Sequence, residues 1–136
     1  MDNIQEQMKE LFGNSCYAYC LAYYFERTSN IKVLTKRVLE GWYAGYIDND
    51  GYVSKPIQYI KMMNPSFKYN DIEKVYIEDL EDLGSSMQIV EYKKKLTDKA
   101  SHFVVADQFG VLFDPSGDSQ TIKIGKPYSF RKFITK

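Results

Sequence analysis

The chain reads as an α+β protein, and three observations in its 136 residues predict that class. Apolar residues recur at helical spacing in the first half. In the second half they fall in short runs separated by turn residues, and no repeat or low-complexity segment interrupts the change. Helices followed by strands imply helices gathered on one side of an antiparallel sheet, within one domain spanning residues 1–136.

Residues 3–11 fit a short polar helix that Gly13 can close in the left-handed region. Ser15 then offers an N-cap hydroxyl to a helix running to about Arg27. Cys16, Cys20 and Tyr23 share one face of it. Ala18, Leu21, Ala22 and Phe25 widen the apolar stripe until it is nearly all round, which predicts a central, buried helix.

A second helix fits residues 31–44, where Val33, Leu34, Val38, Leu39 and Trp42 recur at helical spacing and Gly45 can end it. Asp48, Asn49, Asp50 and Gly51 form a polar turn. They imitate part of a calcium loop, but Tyr46 and Ile57 stand where its acidic end ligands are required. A third helix takes Ser54 as cap, carries Pro56 in its first turn where a missing N–H costs little, and ends near Asn64 and Pro65.

Strands are expected at residues 75–77, 87–92, 102–107, 111–114, 121–124 and 129–134. Gln108, Phe109 and Gly110 make a tight hairpin turn, and Pro115, Ser116, Gly117 and Asp118 supply another. Residues 101–125 are therefore expected as a three-stranded antiparallel meander.

Composition narrows the function classes. Hydrophobic residues at 44% and charged ones at 26% are ordinary for a soluble globular chain. Eighteen basic and eighteen acidic side chains cancel, which removes the broad positive field that phosphate-backbone binding needs, so nucleic acid is not an expected partner. The run Lys93, Lys94, Lys95 reads as a solvated face. The opening MDNIQEQMKE has no apolar stretch, and the most apolar run, Cys16 to Phe25, is too short to span a bilayer. A cytoplasmic protein without a membrane partner is expected. Cys16 and Cys20 lie one helical turn apart, side by side, an arrangement that disfavours a disulfide and suits a reducing compartment. With one His and no second Cys pair, neither a metal nor a cofactor is expected.

The chemistry-bearing residues are Cys16, His102 and Asp114. A cysteine at the first turn of a buried helix gains nucleophilicity from the helix dipole, and its own N–H points toward a developing oxyanion. A thiol also needs a base held in one tautomer by a third group. His102 is the only imidazole, and pairing across a turn centred on residue 108 puts Asp114 directly opposite it, on the same face. Cys20 reads as core.

Ser15-Cys16-Tyr17, Ser101-His102-Phe103-Val104-Val105 and Phe113-Asp114-Pro115 resemble the Cys, His and Asp motifs of papain-like cysteine peptidases. The likeness is closest to the compact bacteriocin-leader-processing type. Over residues 12–133 the chain is also similar to an uncharacterised phage- and plasmid-borne group of small papain-like proteins, in which a Cys-Tyr helix start precedes a Gly-Tyr-Ile-Asp segment, here Gly45 to Asp48. That resemblance implies a papain-like fold and a thiol hydrolase or acyltransferase acting on a peptide, isopeptide or cell-wall amide. It also implies a Gln about six residues before the nucleophile, where this chain has Glu10; Asn14 or Gln7 would then complete the oxyanion hole. Glu10 motivates the alternative, a papain-like binding module of phage or plasmid origin that acts on a host component without turnover.

Overall fold

Five consecutive residues, Ala18 to Ala22, are buried in the first helix, α1 (Cys16–Glu26), as its all-round apolar pattern requires. The computed structural model describes residues 15–95, 101–117 and 120–136. The helix expected at residues 3–11, its end at Gly13, and the placements of Gln7, Glu10 and Asn14 lie outside the described residues. The chain divides into two compact units, residues 1–68 and 69–136.

In the first unit α1 ends at Arg27, whose left-handed backbone (φ 56°) lets its N–H reach the Tyr23 carbonyl. Helix α2 (Ile31–Tyr43) starts at Asn30, whose Oδ1 accepts the Lys32 N–H at 3.0 Å. Its buried residues Leu34, Thr35, Val38 and Gly41 trace one helical stripe. The Tyr19 and Thr35 hydroxyls, 2.9 Å apart, satisfy each other inside the α1–α2 contact, and Arg37 ties the pair together outside by reaching both Glu26 and Glu40. Helix α3 (Pro56–Met63) buries Tyr59 and Ile60. A Cβ on Gly41 would lie 2.6 Å from the Tyr59 ring, so the glycine is what admits that ring. Ser54 is not the cap of α3: Lys55 holds that position, and the Ser54 hydroxyl donates instead to the Tyr46 carbonyl at 3.2 Å. The turn at residues 48–51 is as expected, with Asp48 Oδ1 accepting the N–H groups of Asp50 and Tyr52.

The second unit is a five-stranded antiparallel sheet of β1 (Asp71–Tyr76), β2 (Gln88–Lys93), β3 (His102–Asp107), β4 (Gly110–Phe113) and β5 (Lys126–Ile134), in the order β1-β5-β2-β3-β4. On one face Val90, Tyr92, Val104 and Ala106 form a core with Leu83, against which Ile77, Leu80, Ile122 and Phe130 pack. Residues 121–124, expected as a strand, belong instead to a short helix, α4 (Gln120–Ile124), so the three-stranded meander reduces to the β3–β4 hairpin. Five residues are too few for an apolar period to separate helix from strand. One-sided burial decides it, since Ile122 joins the core while Ile124 stays 64% exposed. Strand β5 starts at Lys126 rather than Ser129. Its Pro127 is tolerated because the β2–β5 register shifts beside it, a bulge where a missing N–H costs no ladder bond.

Candidate functional site

His102 opens β3 and, by strand alternation, shares its face with Val104 and Ala106. The expected register does not hold. Near the turn Asp107 pairs with Gly110 and Ala106 with Val111, a register that, continued, would put residue 114 opposite Phe103 and turn it away from His102. A bulge intervenes, so that Val105 pairs with Phe113 and Leu112 is the extra residue. Beyond it residue 114 projects beside Val104, diagonal to His102 on the same face.

The contact follows: His102 Nε2 lies 2.7 Å from Asp114 Oδ1, with both side chains close to nine-tenths buried. A carboxylate only accepts, so the ring proton is on Nε2 and the basic lone pair of the neutral ring is on Nδ1. Asp114 is itself fixed by the turn that follows. Its Oδ1 also accepts the Ser116 N–H at 2.9 Å, and its carbonyl accepts the Gly117 N–H at 3.0 Å, with Gly117 at φ 76° and Pro115 buried. The turn therefore spans residues 114–117, one residue earlier than expected.

Cys16 is the first residue of α1 and partly exposed, whereas Cys20, one turn on, is fully buried; neither is in a disulfide. Ser15 occupies the cap position without a side-chain capping bond. Its backbone (φ −97°, ψ 8°) departs from the extended conformation that brings a cap hydroxyl over the first turn. Cys16 belongs to the first unit, and His102 and Asp114 to the second. Among the described residues no group of three or more His, Cys, Asp or Glu side chains is placed to hold a metal.

Two contributors escaped the sequence reading, the Ser116 N–H and the bulge at Leu112. The signal for the bulge is the run Val111-Leu112-Phe113, which breaks apolar–polar alternation and leaves two successive large side chains exposed.

The elements and site define an α+β protein with a part-buried, carboxylate-oriented histidine on its sheet. The chain belongs to the family described as "Protein of unknown function, DUF261", whose model matches residues 1–135. No curated protein and no solved structure matches the chain. No helix of the described residues is long and apolar enough to cross a membrane.

Proposed function

We propose that the protein is a papain-like thiol hydrolase or acyltransferase using Cys16, His102 and Asp114 on a peptide, isopeptide or cell-wall amide. The observation that carries this reading is the 2.7 Å His102–Asp114 contact, which leaves Nδ1 as the proton acceptor. The Cys16 sulfur attacks the carbonyl carbon as His102 Nδ1 takes the thiol proton. The carbon–nitrogen bond then breaks as that proton passes to the leaving amine, and water or an acceptor amine resolves the thioester by the same shuttle. Asp114 holds the ring through both halves. The first-turn N–H of Cys16, with Asn14 or Gln7, would steady the oxyanion.

Alkylation by iodoacetamide at neutral pH tests it. The reading requires Cys16 to be modified far faster than Cys20, and His102→Ala to slow Cys16 at least tenfold. Slow labelling of Cys16 that ignores His102→Ala would instead favour a papain-like binding module without turnover.

A further inference from the structure

The two edges of the sheet are unlike. Edge β1 is guarded by charge, with Asp71, Glu73 and Lys74 along it and Asp71 paired with Lys136. Edge β4, Gly110-Val111-Leu112-Phe113, carries neither a charge nor a proline. Exposed apolar side chains also gather there: Phe109, in the turn before it, is 89% exposed, and Val111 and Leu112 are exposed with it.

The hairpin register fixes which backbone groups face outward. Asp107 and Gly110 close a two-residue turn and form the hydrogen-bonded pair, so Ala106 and Val111, next along, form the non-hydrogen-bonded one. The N–H and C=O of Val111 therefore point away from β3, and among the described residues no strand pairs with that side. The Val111 side chain, opposite Ala106, lies on the face that His102 and Asp114 share. Length selects the occupant. A four-residue strand extends roughly 13 Å, too short an edge for a second copy to bury the roughly 800 Å² per partner of a stable dimer. An extended peptide needs no more, because main-chain bonds supply its affinity and alternate side chains its selection. Position favours the same occupant, since β4 leads directly into Asp114, whose carboxylate holds His102.

Resting on the peptide-acting reading above, we propose that the β4 edge takes an extended, uncharged segment of the polypeptide substrate as a further strand. Both outward backbone groups of Val111 seat it, and Val111 and Leu112 select apolar residues in it. Such a strand lies two strand spacings from β3, roughly 10 Å, so the seated segment is gripped rather than cut. The amide to be cut lies about three residues further along the extended chain.

Fluorescence anisotropy of a labelled peptide of alternating valine and threonine, titrated with the full chain carrying Cys16→Ala, tests it. Gripping needs no nucleophile, so binding by this chain stands or falls apart from the alkylation of Cys16. Methylating the peptide's amide nitrogens, which leaves its side chains in place, should weaken binding roughly tenfold through lost backbone hydrogen bonds. Val111→Pro, added to the same chain, removes an outward N–H without touching the β3–β4 ladder and should weaken binding to a similar degree. Val111→Ile should retain it and Glu73→Gln, on the other edge, should leave it unchanged, with circular dichroism confirming that each variant is folded. A peptide that does not bind overturns the proposal, as does one that binds equally well when methylated or to a folded Val111→Pro chain. Sedimentation showing a dimer that Val111→Pro dissolves would also overturn it, by giving the edge to a second copy.

Discussion

Asp114 uses one oxygen for two tasks. Oδ1 accepts the Ser116 N–H, as an ordinary turn-initiating aspartate does, and accepts the His102 ring N–H as well. The turn holds the carboxylate, and the carboxylate holds the imidazole. An amide oxygen can accept the same two N–H groups, whereas a methyl accepts neither. Asp114→Ala is therefore expected to lower the neutral-pH alkylation rate of Cys16 at least tenfold, and Asp114→Asn to retain most of it. Equal loss in both would mean that charge, not orientation, is the contribution of this residue. Its identity was legible in the sequence because Asp-Pro-Ser-Gly is a turn signal and His102 is the only imidazole. The Ser116 N–H was not, because a backbone donor leaves no mark in a residue pattern.

Among the elements, β4 decides whether that contact exists. A slip of one residue turns every side chain to the other face, and the extra residue at Leu112 supplies the slip that returns Asp114 to the face of His102. Deleting Leu112, which is 49% exposed on an edge strand, joins Val111 to Phe113 and leaves Asp114 opposite Val104, so it should keep both the fold by circular dichroism and the Cys16 alkylation rate, whereas one alanine inserted between Phe113 and Asp114 should turn the carboxylate to the other face and lower the rate as far as Asp114→Ala does. An insertion that leaves the rate unchanged would show that the register of β4 does not position Asp114. In the first unit Gly41 plays a comparable part for α2 and α3. Gly41→Ala gains about 1 kcal/mol of helix propensity but drives a Cβ to 2.6 Å from the fully buried Tyr59 ring, an overpacking that costs about 1–3 kcal/mol. We expect a net loss of up to about 2 kcal/mol in urea unfolding; a more stable variant would show that the ring can yield.

The hairpin itself and the helices α1, α2 and α3 were legible because each carries a long apolar period or a turn dipeptide. The bulges in β4 and β5 and the helix at residues 120–124 were not. In each, a tertiary partner outweighs the local pattern: Val105 for the shifted Phe113, Tyr92 for Pro127, and the sheet core for Ile122.

At the largest scale, a buried carboxylate ties the sheet across its strands. Glu91 of β2 accepts the Ser129 hydroxyl at 2.7 Å and lies 3.3 Å from the Lys74 ammonium and 3.5 Å from the Arg131 guanidinium, linking β2 to β5 and β1. Burial alone would push its pKa up, but the Ser129 and Ser101 hydroxyls, with the charges of Arg131 and Lys74, hold it below its ordinary 4.5. Its contribution to stability is therefore complete above that value and is lost as the pH falls through the lower folded one. Urea midpoints should decline below about pH 4.5, and Glu91→Gln should flatten that decline while lowering the midpoint at neutral pH. A decline of the same depth in both chains would assign it to other carboxylates.

If Cys16 is a nucleophile served by His102, brief exposure of the full chain to p-nitrophenyl acetate at neutral pH will register in its intact mass. One acetyl group, mapped to Cys16, is expected to form in the native chain and decay on standing, and to form at least tenfold more slowly with His102→Ala. An unmodified Cys16, or one acetylated equally fast without the imidazole, would contradict it.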